Sequence, residues 1–399
     1  MSKNNKFKRY FILFISLFIL LNIGILVFNK TYLYKGLQAT YLKGRTGPGI
    51  YDSIIFPIRV AHASNLPEKW ETHIPTKELS QEAKNLLNET NTTSFLIVEN
   101  GEIIHESYYG DHDVYTKSNS FSMAKSFIAL MIGVAIDRKE IHGFDDLIND
   151  YLPFVLENSE KVTIRDLLGM SSGLKWSESG INPFSDNAEA YYTSDLVSMV
   201  KDLKFIDQPG EAFEYKSGNS QILGIILEKA TGMHPAAYFE KYIWSEIGAE
   251  NDLLWSLDHV DGVEKTFCCA YATTRDYAKI GQLILNQGTW NGSLVIESAT
   301  LNEIITAYNE STSHYGLHFW IYEHSKHPSV YLRGILGQYI IVVPSLNVVM
   351  VRTGHKRKGK YSTTDAQSDV SSTDKNDYKQ HHPLDLFDYF SILNEVLNK

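Results

Sequence analysis

From Tyr10 to Asn29 the chain carries no charge and is dominated by Phe, Ile and Leu. That run is about long enough to cross a bilayer core. Beyond it the pattern becomes polar and aromatic, with Gly44, Gly47, Pro48 and Gly49, and residues 30 to 90 read as a spacer that packs on the domain following it. Apolar runs on either side of Asn100-Gly101, within Ser94 to Ser107, predict a hairpin. Phe127 to Ile136 is uncharged and predicts a helix buried on all sides. From about 137 to 265 the periodicity is mostly helical, as in Thr163 to Leu168, Ser194 to Leu203 and Ser220 to Thr231. Another helix is predicted over Thr274 to Asn286, and strands over Gln338 to Val343 and Val348 to Arg352, joined by Pro344-Ser345-Leu346-Asn347. A polar tract, Lys356 to Lys379, precedes a closing helix from Leu384 to Leu397. Strands near both ends with helices between them predict an α+β fold. One antiparallel sheet is built from both ends of the chain, flanked by helices and interrupted by a helical lobe.

Charge and cysteine content narrow the setting. Lys3, Lys6, Lys8 and Arg9 precede the apolar run, which keeps the amino end in the cytoplasm and sends the rest outside. A cleaved signal peptide is the alternative. Its apolar core would be shorter, and Ala61-His62-Ala63 lies too far downstream to be the cleavage site. The reading is a cytoplasmic stretch 1–9, a signal anchor 10–29, a spacer 30–90 and a catalytic domain 91–399, placed at a bacterial cell membrane on its outer side. A formal charge of −10 argues against a nucleic-acid partner, and Lys356 to Lys360 reads as a solvated loop. Cys268 and Cys269 are adjacent and give neither a disulfide framework nor a four-ligand zinc site.

The candidate chemistry begins at Ser122-Met123-Ala124-Lys125. Three residues apart on a helix, the two side chains share a face. Serine needs a group to take its proton, and lysine can do so when burial lowers its pKa. Four Ser-x-x-Lys matches occur. Lys175 follows a Ser-Ser-Gly turn, Lys201 lies in a mixed-charge run and Lys375 in the polar tract, so only Lys125 heads an apolar helix. Tyr215, in Glu214-Tyr215-Lys216-Ser217, is a candidate proton relay, though one of 24 tyrosines. The Ser122 N–H at a helix start and a second N–H near Gly334 to Gln338 are candidate oxyanion donors. Glycines there let backbone approach a substrate.

Together these segments resemble the serine β-lactamase and penicillin-binding-protein superfamily. The resemblance is to the class C β-lactamase-like branch that includes 6-aminohexanoate-dimer hydrolase and related esterases. It covers roughly residues 90 to 355. Ser122 to Ser126 is similar to the nucleophile motif, Val162 to Leu174 to the helical-lobe signature, and Pro209 to Asn219 to the tyrosine segment. Cys268 to Ala278 is similar to the pocket-lining helix start, and Gly334 to Gln338 to the oxyanion strand. The resemblance implies Ser122 as nucleophile, Lys125 as base, Tyr215 as relay, and Ser122 with Ile335 as the oxyanion hole. Ser217, Tyr271, Gly334 and Gly337 would then bind substrate. It implies ester or amide hydrolysis through an acyl-enzyme on a small or short peptide-like substrate, with no metal or organic cofactor. The late strand reads Leu332-Arg333-Gly334, without Lys-Thr-Gly, which weakens the case for a β-lactam substrate. The tyrosine motif also lacks the Asn of class C enzymes.

Other readings compete. Ser185-Asp186-Asn187 and Lys216-Ser217-Gly218 spell class A β-lactamase motifs, but the second runs into a helical pattern where a strand is needed. Gly169-Met170-Ser171-Ser172-Gly173 fits a nucleophile elbow but follows a helix, not a strand. His314, His318 and His381-His382 lack the spacing of a metal hydrolase. A penicillin-binding protein, or a β-lactam or peptide sensor that acylates without turnover, would keep the same fold. The nine residues before the apolar run are too few for a signalling module.

Overall fold

The computed structural model describes residues 3–398 apart from 75, 181, 324–325 and 359–380, so nearly all of the polar tract lies outside the described residues. A helix spans Lys3–Val27, and its stretch Lys6–Val27 is long and apolar enough to cross a membrane. The central sheet has seven strands. In order they are Trp320–Tyr322, Ser329–Gly334, Gln338–Val343, Val348–Gly354, Thr92–Glu99, Glu102–Tyr108 and Glu71–Thr72. All neighbours pair antiparallel except the last, which runs parallel to Glu102–Tyr108. Carboxyl-terminal strands therefore meet amino-terminal ones, Val351 pairing with Leu96 and Met350 with Ile97. The closing helix, Leu384–Val396, matches its sequence pattern to within a residue.

Side chains alternate across a strand, and here the alternation separates two cores. Leu96, Val98, Ile340, Val342, Val349 and Val351 face the helix Met123–Asp137 and the helical lobe. Phe95, Ile97, Tyr339, Ile341, Val348 and Met350 face the closing helix through Leu386, Tyr389 and Leu393. Both faces are covered, which explains why these strands read as continuous apolar runs.

Two features depart from the sequence expectation. There is a second sheet of four strands, Ile58–Ala61, Leu253–Ser256, Ala270–Ala272 and Ser118–Asn119, where a single sheet was predicted. Its strands are two to four residues long, too short to show a period. The stretch predicted as a spacer also builds part of the body. Tyr32, Ala39, Ile50, Phe56 and Ala61 are buried in the principal core, and Ile58–Ala61 is an edge strand. The small sheet positions the chemistry, because it holds the segment entering Ser122 beside the segment containing Cys268 and Cys269.

Candidate active site

The backbone reaches Ser122 through a strained turn. Phe121 has φ +44°, in the left-handed region where a bulky residue is rare. Three hydrogen bonds hold it there: Asn119 Oδ1 accepts from the Phe121 N–H at 2.9 Å, the Ser120 Oγ donates to the Phe121 carbonyl, and the Ser120 N–H donates to the Ala270 carbonyl. Ser122 then stands at the N-cap position, without a side-chain capping bond, of the helix Met123–Asp137, which is buried from Met123 to Ala135. Strain retained at one residue by surrounding bonds is a feature of functional turns.

Lys125 lies one turn on. Its Nζ is 3.0 Å from Ser122 Oγ and 2.8 Å from the Phe267 carbonyl. The residue is 1% exposed. Burial lowers its pKa to about 8, against the pull of the Glu178 carboxylate, which favours the charged form. The Nζ lies 5.1 Å from the Tyr215 ring centroid. The Tyr215 pKa is raised, first by burial and then by Glu178, with Ser122 opposing the shift, so the phenol keeps its proton at neutral pH. Its ring stacks on Trp320 with centroids 5.8 Å apart.

Glu178 carries no motif signal in the sequence. Its carboxylate accepts from Trp176 Nε1 at 2.7 Å, from the Ser217 N–H at 2.7 Å and from Ser217 Oγ at 2.5 Å. Burial raises its pKa while the Lys125 charge opposes that shift. Ser217 begins the helix Ser217–Thr231, so the two bonds tie the Tyr215 segment to the Glu178 loop.

Ser122, Glu178, Tyr215, Ser217, Arg333, Gly334 and Ile335 line one cavity of about 490 Å³. Gly334 brings the strand Ser329–Gly334 against the turn entering Ser122, since a Cβ there would sit 2.2 Å from the Ser120 carbonyl oxygen. The Arg333 guanidinium stacks on the Trp320 ring at 3.9 Å.

Two expected substrate contacts fall elsewhere. Tyr271 is fully buried, its hydroxyl accepting from Asn119 Nδ2 at 3.2 Å, and it does not line the cavity. It stands on the short strand Ala270–Ala272 with its side chain turned into the core, while Phe267 and Cys268 line the cavity just before it. Gly337 also lies off the cavity wall. It has φ +82°, and its carbonyl accepts from Arg352 Nη1 at 2.6 Å, so glycine serves the turn there.

The competing motifs resolve into helix ends and turns. Ser185 caps the helix Asp186–Tyr192, and Lys216 precedes the helix beginning at Ser217. Gly169 to Gly173 terminates the helix Ile164–Leu168, with Met170 at φ +56° and Gly173 at φ +71°. Ser172 donates to Asn219 Oδ1, and Ser372 lies outside the described residues. Both ring nitrogens of His318 are engaged, with the Leu168 carbonyl and Ser220 Oγ. Away from the cavity, Glu228, His234 and Glu264 form a grouping of possible metal ligands. Glu264 there is ion-paired with Arg59 at 2.7 Å, and His234 lies 3.1 Å from Glu228. Cys268 and Cys269 form a disulfide with each other.

The family model for Beta-lactamase matches residues 83–372. The chain belongs to the beta-lactamase family. A curated relative in this group, the 6-aminohexanoate-dimer hydrolase of Paenarthrobacter ureafaciens, is 23% identical over 231 residues, covering 55% of this chain and 58% of that protein. The chain thus spans little more than half the length of that relative. A solved structure from Bacillus anthracis, provisionally named a 6-aminohexanoate-dimer hydrolase, superposes with a TM-score of 0.69 at 20% identity. The match covers 86% of this chain and 89% of that one. A family VIII carboxylesterase superposes with a TM-score of 0.58 at 17% identity, covering 73% and 94%. The beta-lactamase fold is therefore established for this chain, and hydrolases are among the proteins it is similar to.

Proposed function

We propose that the protein is a membrane-anchored serine hydrolase that cleaves an ester or amide through an acyl-enzyme on Ser122. The observation that carries the reading is the buried Lys125 amine 3.0 Å from Ser122 Oγ, with its pKa lowered to about 8. A neutral amine at that distance takes the hydroxyl proton as Oγ attacks the carbonyl. The N–H groups of Ser122 and Ile335 stabilise the oxyanion. Tyr215 passes a proton to the departing alcohol or amine as the carbon–heteroatom bond breaks. Water then attacks the acyl-enzyme, its proton returning through Tyr215 and Lys125, and the acid leaves with Ser122 restored.

The N-terminal helix supports the anchor, and Lys3 to Arg9 support an extracytoplasmic catalytic body. Arg333 in the cavity favours a second reading, in which a substrate carboxylate is held as in β-lactams or D-amino-acid peptides. The test is a panel of p-nitrophenyl esters, a cephalosporin, D-amino-acid peptides and linear amide oligomers on wild type and Ser122→Ala. Ester or amide turnover that disappears in Ser122→Ala supports the proposal. Acylation by the cephalosporin without turnover of any substrate supports the sensor reading instead.

A further inference from the structure

The catalytic cavity extends well beyond the catalytic groups. Its lining includes Ser122 and Tyr215 and also Leu21 and Ile25 of the N-terminal helix and Leu37 of the helix Tyr32–Ala39. Its volume of about 490 Å³ falls in the range of sites that enclose a small organic ligand. The reacting groups thus share one mostly apolar trough with side chains of the two N-terminal helices.

Specific contacts hold the trough's outer wall to the body. The Tyr34 hydroxyl donates to Asn22 Oδ1 at 2.7 Å, joining the two helices. Lys30 pairs with Glu189 at 2.6 Å, and the Tyr32 hydroxyl donates to the Pro183 carbonyl at 2.9 Å. Gly36 lies against the Tyr192 ring, 3.3 Å from where a Cβ would stand. These contacts fix the end of the apolar helix beside the cavity.

Helix geometry sets the depth. Lys6–Val27 rises about 33 Å at 1.5 Å per residue, which matches a hydrocarbon core of about 30 Å. With the amino end inside, Leu21 lies about 9 Å below the outer end of the span, at the depth of outer-leaflet acyl chains. A hydrocarbon chain at that depth can pass from lipid into the trough without crossing water.

We infer that the substrate is an amphiphile drawn from the outer leaflet. It is an ester or amide whose long hydrocarbon chain lies between Leu21, Ile25 and Leu37 while its carbonyl reaches Ser122. This rests on the serine-hydrolase reading and names the substrate class for the same site. Away from Glu178 and Arg333 the walls are mostly apolar, and each methylene taken up there favours binding by roughly fourfold.

The test uses full-length protein in nanodiscs and two alkyl fluorophosphonates with the same head, ethyl and dodecyl. The adduct is located by peptide mass and its formation rate measured. The expected result is a Ser122 adduct forming at least ~10²-fold faster with the dodecyl probe. Leu37→Trp and Ile25→Trp, made separately and checked for unchanged melting temperature, should each lower the dodecyl-to-ethyl ratio about tenfold. Because partition into the disc is common to all forms, that drop reports the trough alone. A ratio near one, or a high ratio that neither variant lowers, with the adduct still on Ser122, overturns the amphiphile and leaves the hydrolase. No adduct on Ser122 with either probe removes both. In a separate arm the dodecyl probe is either preloaded in the disc or delivered from water on a carrier protein. Faster labelling from the disc supports the outer-leaflet route, and labelling only from water overturns it.

Discussion

At the scale of single residues the account depends on electrostatics inside one cavity. In the proposed mechanism Lys125 can accept the Ser122 proton only when neutral, and burial lowers its pKa to about 8. As pH falls below that value the amine becomes charged, so kcat/KM should drop about tenfold per pH unit on the acid side, as read from an ester pH–rate profile. Glu178 stabilises the ammonium, so removing its charge lowers the Lys125 pKa further. The acid limb should therefore move to lower pH in Glu178→Gln, and a limb that stays in place or rises would contradict this coupling. Lys125→Ala and Tyr215→Phe should each reduce turnover by ~10²-fold or more, measured on the best ester of the panel. Ser122 and Lys125 were legible as a candidate pair because they stand at the start of one uninterrupted apolar helix. The sequence could not show Glu178, whose partners Trp176 and Ser217 come from two segments that meet only after folding. Tyr271 misled for the opposite reason: its motif stands near the cavity, but strand alternation turns its side chain inward.

At the scale of elements, turns and caps decide the outcome. Gly334 permits the strand Ser329–Gly334 to touch the Ser122 turn. Gly334→Ala should place a methyl against the Ser120 carbonyl, cutting activity at least about tenfold and lowering the melting temperature. Ordinary activity in that variant would show that the strand has room to spare. Thr163 and Asp166 form a reciprocal capping box on Ile164–Leu168, and Thr163→Ala should cost about 1 kcal/mol in urea unfolding. Long elements with a clear period, the hairpin at Asn100-Gly101 and the helix after Ser122, were legible from the chain alone. The small sheet was not. Two-residue strands such as Ser118–Asn119 have no period, and only backbone pairing with Ala270–Ala272 defines them.

At the scale of the whole molecule, the stretch predicted as a spacer couples the apolar helix to the catalytic body. Tyr32 and Phe56 lie in the core, and Lys30 reaches the lobe at Glu189. In intact cells lacking an outer barrier, a tag fused to the carboxyl end should be digested by added protease. Protection of the tag would reverse the proposed orientation. The beta-lactamase family follows from the matched residues 83–372, while the proposed substrate depends on a cavity that the N-terminal helix helps to line.

The most direct test of the central claim is the pH dependence of fluorophosphonate labelling, with the adduct mapped by peptide mass. The account predicts an adduct on Ser122 alone, absent in Ser122→Ala, with a rate that rises through a single ionisation near pH 8. Labelling that persists in Ser122→Ala, or a rate on Ser122 that ignores pH across that range, would contradict it.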